Sequence, residues 1–135
     1  MLYLLDACAA ITIFNAEPGA IKVIDLIEQA KNGNADVFMS IIQLLEIYYD
    51  RVYIVGENNA KIRVESILKE PITIIENISY QVMYEAGRFK TCYSMSLADS
   101  IVCATAKILG ATLVTKDKEI KPAEEAGEFS VLWLD

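Results

Sequence analysis

The sequence predicts an α/β domain: a mainly parallel sheet of five strands covered by helices on both faces. Three observations predict it. Short apolar runs alternate with longer stretches of helical period along the 135 residues. Parallel strands need crossover segments long enough to hold a helix, and the alternation supplies one between each pair of strands. Hydrophobic residues make up 54 % and charged residues 23 %, and no repeat, linker or low-complexity segment interrupts them, so residues 1–135 read as one domain with one core.

The elements follow in order. LYLL at 2–5 reads as a buried strand, and residues 7–15 are apolar enough for a short helix. Pro18 suits a helix start, and 18–32 carries Ile21, Ile24 and Ile27 with Lys22, Asp25 and Glu28 between them. Asn32-Gly33-Asn34 ends that helix, and VFMS at 37–40 is the second strand. A long helix follows directly and runs through Tyr53; Gly56 breaks it, and 58–69 forms another that stops before Pro71. ITII at 72–75 is the third strand, and 79–91 is helical. Ser96 opens a helix that Gly110 closes. TLVT at 112–115 is the fourth strand, 118–126 a short helix, and FSVLWL at 129–134 the fifth strand.

Composition narrows the chemistry. The chain has no histidine, which removes the serine triad, the Cys-His pair, the histidine-ligated zinc site and the two-histidine type of ribonuclease. Carboxylate chemistry remains, with or without a hard cation. Cys8, Cys92 and Cys103 are odd in number and far apart, with no CxxC, and so read as free thiols in a reducing cytoplasm. No apolar run is long enough to span a bilayer, and Asp6 within the first apolar stretch, with no basic residue before it, speaks for a strand rather than a signal peptide. A net charge of −7 is a poor surface for a polyanion. Two divalent ions, adding +4, would bring −7 to −3 and leave the basic residues to act locally.

Ligands of parallel sheets bind beyond the carboxyl ends of the strands, which sorts the acids. Asp6 directly follows the first strand, and Asp117 lies two residues past the fourth. Asp99 starts a helix, and Glu46 sits in the second turn of the helix that leaves the second strand at Ser40. Glu76 also ends a strand and competes with them. Each has a plainer explanation. Asp6 and Asp117 can serve as helix caps or turn residues. Glu46 shares a stripe with Gln43 and Asp50 that a solvated face would explain. Asp99 completes a capping-box pattern with Ser96. Yet Asp99 also heads the stripe 99, 102, 103, 106, 110, the small and apolar face expected to pack on the sheet, with the polar face running through Ser100 and Lys107. A carboxylate on a core-facing stripe costs free energy unless it is paired or binds metal.

These residues resemble a family. LYLLDACAAI, the Ser40 to Glu46 stretch of MSIIQLLEI, and above all LADSIVCATAKILGATLVTKD are similar to the PIN domain, in particular its VapC-like branch of toxin ribonucleases. The resemblance covers essentially the whole chain. It implies an α/β/α sandwich and cleavage of RNA dependent on Mg²⁺ or Mn²⁺. Matched to the motif, Asp6, Glu46, Asp99 and Asp117 are the acidic quartet, with Glu119 close enough to compete for the fourth place, and Thr115 is the accompanying hydroxyl. The branch further implies a homodimer and an antitoxin protein as partner. The family commonly carries a small hydroxyl residue just after its first Asp; here the pair is Ala7-Cys8.

The chemistry stands independently of the resemblance. Phosphodiester hydrolysis needs an acidified water and charge compensation at phosphate and leaving oxygen; one or two carboxylate-held cations, ~3.5–4 Å apart when there are two, supply both. Asp6 and Asp99 are the expected principal ligands, with Glu46 and Asp117 on a second ion or on the attacking water. Ser40 and Thr115 are expected to orient those carboxylates. Lys116, Lys118 and Arg88 are candidates for phosphate contact, against their plainer reading as solvated charge. Two rivals remain: a receiver-like phosphoacceptor, which needs an Asp where the third strand ends in Glu76, and a catalytically silent domain of the same fold that binds a protein. On the long helix, Leu44, Leu45, Ile47, Tyr48, Tyr49 and Tyr53 present more apolar surface than one sheet contact requires, the pattern of an interface or of a wedge between helices.

Overall fold

A computed structural model describes residues 1–135. Strand β1 (Leu2–Leu5) lies at the centre of a five-stranded, wholly parallel sheet of order β3-β2-β1-β4-β5. The other strands are β2 (Asp36–Ser40), β3 (Ile72–Ile75), β4 (Thr112–Thr115) and β5 (Val131–Trp133). Helices α1 (Ala7–Phe14) and α2 (Ala20–Lys31) link β1 to β2, and α3 (Ile41–Val55) and α4 (Glu57–Leu68) link β2 to β3. Helices α5 (Tyr80–Cys92) and α6 (Leu97–Leu109) cross back to β4, and α7 (Lys121–Glu125) precedes β5. The α/β/α layering expected from the alternation is the one observed.

Side chains along each strand alternate between faces, which divides the core in two. Leu4 and Leu113 pack with Phe89, Val102, Cys103 and Ala106 under α5 and α6. Their neighbours Leu5 and Val114 point the other way, into Val23, Leu26, Met39 and Ile47 under α1 to α4. Burying each such side chain contributes roughly 1.5–3 kcal/mol.

Several boundaries differ from the sequence reading, each for a local reason. Pro18 does not open α2. The helix starts at Ala20, after Gly19 turns with φ 98°, and a Cβ at Gly19 would collide with the Leu134 carbonyl. The segment 118–126 divides into a 3₁₀ turn (Lys118–Ile120) and α7, since Pro122 has no N–H for a continuous helical ladder. Strand β5 is shorter than FSVLWL because Phe129 leaves the sheet and packs 6.0 Å from the Phe89 ring. Ser100 does not mark a polar face: every residue from Asp99 to Ala106 is buried, and the Ser100 hydroxyl donates to the Leu97 carbonyl at 2.6 Å. Helix α6 therefore runs through the interior, and only its two ends, with Leu97 at the first and Lys107 at the last turn, reach solvent. No helix is long and apolar enough to cross a membrane.

Candidate active site

The chain leaves β1 toward β2 and β3 on one side, then returns to place β4 on the other, so the order reverses between β1 and β4. Crevices form at the carboxyl ends of strands at such a point. Strand register sets Leu5 opposite Val114, and the ladder continues with the Asp6 N–H donating to the Val114 carbonyl at 3.0 Å. Asp6 and Thr115 thus emerge side by side, and Asp117 follows two residues later.

Helix α6 brings the third acid. Ser96 caps it, its hydroxyl accepting from the Asp99 N–H at 3.1 Å, so the capping role is real; the Asp99 carboxylate nonetheless faces the crevice. One oxygen from each of Asp6, Asp99 and Asp117 lies within 4.8 Å of the other two, with Asp6 and Asp99 buried and Asp117 half-buried. Asp6 also caps a helix, as its plainer explanation had it: its Oδ1 accepts from the Ala7 N–H at 2.8 Å at the start of α1, while its Oδ2 accepts from the Thr115 hydroxyl at 2.7 Å. Thr115 in turn accepts from the Asp117 N–H at 3.0 Å, so one buried hydroxyl fixes two of the three acids. Asp117 caps the following turn through the Glu119 N–H at 3.0 Å; of the two, the structure brings Asp117, not exposed Glu119, to the cluster.

Glu46 lines the same cleft, a space of about 210 Å³ shared with Cys8, Tyr49 and Asp50. The stripe of Gln43, Glu46 and Asp50 is accordingly no solvated face: Gln43 is wholly buried, and Asp50 accepts from buried Arg51 at 2.7 and 3.0 Å. Arg51 also donates to Asn15 at 3.1 Å and lies over the Phe14 ring. Cys8 stands where a hydroxyl is common in the resembled family. Its Sγ lies 3.5 Å from both Asp6 Oδ2 and Thr115 Oγ1 and accepts from the Lys116 N–H at 3.4 Å. Burial, with the Asp6 charge added, pushes the thiol up to about 12, so it stays protonated and can donate to the carboxylate.

The electrostatics follow from this crowding. Burial raises Asp6, against the bonds from Thr115 and Ala7; burial also raises Asp99, to about 8, helped by the Asp117 charge and a bond between the two carboxyls. Burial and then the Asp6 charge raise Glu46. Buried like charges without a counter-charge hold protons instead. The cluster offers only hard oxygen donors, which suits Mg²⁺ or Mn²⁺, and a divalent ion is the group that would let these carboxylates ionise together.

Other expected participants lie elsewhere. The Ser40 hydroxyl caps α3 by accepting from the Ile42 N–H at 3.2 Å and bonds no acid, so it serves Glu46 only by starting its helix. Arg88 is not at the site: it pairs with Glu85 and Glu128, beside Lys107 at the last turn of α6, while Asp99 is in the first. Lys116 pairs with Glu17 at 2.7 Å, and Lys118 lies over the Trp133 ring near Asp135. Glu76 lies outside the cluster. Gln43 and Arg51 were missed; their only sequence signal is a polar residue on a helix otherwise rich in apolar ones.

Comparison with known proteins agrees with this fold. A chain of VapBC2 from Rickettsia felis, bound to a DNA fragment from their promoter, aligns over 100 % of both chains at 21 % identity and TM-score 0.79. DNA-bound VapBC from Salmonella typhimurium aligns over 100 % of both chains at 17 % identity and TM-score 0.74. A toxin–antitoxin complex from Klebsiella pneumoniae aligns over 86 % of this chain and 87 % of that one, at 21 % identity and TM-score 0.59. At these identities the likeness is one of fold. No match is found among curated proteins. The PIN domain profile, however, matches residues 3–125, nearly the whole chain. The chain belongs to the PIN domain family.

Proposed function

We propose that this protein is a metal-dependent ribonuclease and the toxin of a toxin–antitoxin pair. The observation that carries the nuclease reading is the meeting of Asp6, Asp99 and Asp117 within 4.8 Å at the switch point of the sheet, in a family whose members are typically nucleases that use divalent ions. Asp6, Asp99 and Asp117 would hold Mg²⁺ or Mn²⁺, and a cation there supplies charge compensation at the phosphate and a more acidic water. The chain's own groups do the rest. Thr115 and Cys8 hold Asp6 in place. Glu46, raised by burial, lines the cleft and is the group suited to orient a water and take its proton. The receiver-like alternative lacks its phosphoacceptor Asp, and a silent domain has no need of three acids at mutual cost.

The toxin reading rests on fold likeness to the toxin–antitoxin complexes. Exposed Leu45, Tyr49 and Tyr53 on α3 support a homodimer, and Ile21 and Ile24 on α2 support an antitoxin contact. The experiment is cleavage of a labelled RNA with Mg²⁺ or Mn²⁺, by wild type and Asp6→Asn. Cleavage by wild type alone, abolished by EDTA, is the expected result; cleavage that survives EDTA, or that Asp6→Asn retains, contradicts the metal mechanism.

A further inference from the structure

Gln43 is wholly buried in the first turn of α3. A buried primary amide costs free energy unless both its ends are bonded. Here both are. Gln43 Oε1 accepts from the Ala7 N–H at 3.2 Å, and its Nε2 donates to the Ala98 carbonyl at 3.3 Å. The amide fits only this way round, since an N–H needs an acceptor and a carbonyl needs a donor. Ala7 is the residue after Asp6, and Ala98 is the residue before Asp99. These segments lie 36 and 55 residues from Gln43 in sequence, so one side chain ties together three helices that the chain brings in separately.

The placement matters because the two acids sit on independent elements. Asp6 is fixed to the sheet and to α1, whereas Asp99 rides on the first turn of α6. Helices shift more readily than paired strands, and a site that binds a small cation must hold its ligands to within about 0.5 Å. The Ala7 N–H is one of the donors that a helix start leaves without an internal partner. It is shared between Asp6 Oδ1 at 2.8 Å and Gln43 Oε1, so the amide braces the same peptide group that the carboxylate uses. Gln43 does not line the cleft, so it touches neither cation nor substrate.

We propose that Gln43 is the positioning residue of the carboxylate cluster: its buried amide sets the separation of Asp6 and Asp99. This rests on the reading that those acids hold a divalent cation. The test is Mn²⁺ binding, followed by loss of the free-ion EPR signal, in wild type, Gln43→Met, Gln43→Asn and Leu44→Ala, with Tm measured in EDTA. Met keeps the length and loses both bonding groups; Asn keeps the groups and is too short to span both partners. Leu44→Ala opens the adjacent core without touching the amide, and so reports general destabilisation.

Both Gln43 variants are expected to weaken Mn²⁺ about tenfold, as losses around a metal site commonly do. Leu44→Ala is expected to melt lower and bind as wild type does. Wild-type affinity in either folded Gln43 variant overturns the proposal, as does equal weakening in Leu44→Ala. Failure of both Gln43 variants to fold also overturns it, because Gln43 would then be a strut of the fold rather than of the site. If the wild type itself leaves the Mn²⁺ signal unchanged, the cation reading fails, and the role of Gln43 falls with it.

Discussion

At the residue scale, one hydroxyl carries unusual weight. Thr115 is fully buried, donates to Asp6 and accepts from the Asp117 N–H, so it holds two acids that follow two different strands. Thr115→Val keeps the shape and removes both bonds. Asp6 then loses the donor that most opposes its burial. Mn²⁺ affinity by calorimetry should fall by about 10-fold or more; unchanged affinity in a folded variant would show that the hydroxyl is incidental. The sequence made Thr115 visible by its place before Lys116-Asp117. It could not show Cys8 doing part of a hydroxyl's work, because that depends on the 3.5 Å approach of residues 107 apart in the chain. The helix-cap explanations of Asp6 and Asp117 also hold in their local sense, whereas at α6 the cap is Ser96 and the Asp99 carboxylate is left to face the crevice.

At the scale of elements, two charged clusters lie at opposite ends of α6 and do different things. Asp99 in its first turn faces like charges. Lys107 in its last turn joins Arg88 and Tyr93 on Glu128, and these partners hold the Glu128 carboxyl down at about 2. That second cluster ties α5 and α6 to the segment before β5. Glu128→Gln should cost about 1–2 kcal/mol, less than a fully buried pair because Arg88 and Lys107 are partly exposed. That is a Tm lower by roughly 3–8 °C, with Mn²⁺ affinity unchanged. A change in affinity without a change in Tm would contradict the separation of the two ends. Element order and type were legible because each strand is a short apolar run, and Gly33, Pro71, Gly110 and Gly127 separate β2 to β5 from the helices before them. The wrong polar face of α6 was not, because periodicity assumes a helix with one dry side, and α6 is enclosed by the sheet, α5 and α3.

At the scale of the molecule, a chain of net charge −7 gathers its acidic cluster in a cleft that no basic side chain lines. Burial and mutual repulsion raise Asp99 from the ordinary range near ~4 to about 8 in the folded state. The folded state therefore binds more protons than the unfolded chain between those values, and metal-free stability falls as pH rises through that window. In EDTA, Tm should be higher at pH 5 than at pH 8, and Asp99→Asn should flatten the difference. For millimolar binding, 10 mM Mg²⁺ should add roughly 1.4 kcal/mol at pH 8, a few degrees, and less in the variant. A wild-type Tm that rises from pH 5 to 8 in EDTA would contradict the crowding of these acids. The proposed homodimer predicts twice the 15.0 kDa mass by light scattering at micromolar concentration, and a monomer would remove that part of the reading.

The most direct measurement is the position of a bound ion. Crystals grown with Mn²⁺ should show an anomalous scattering peak among Asp6, Asp99 and Asp117, within coordination distance of their carboxylate oxygens, and Asp99→Asn crystals should weaken or lose it. A well-ordered wild-type site with no peak there, or a peak held by other residues, would contradict the claim that this fold gathers its acids to hold a cation.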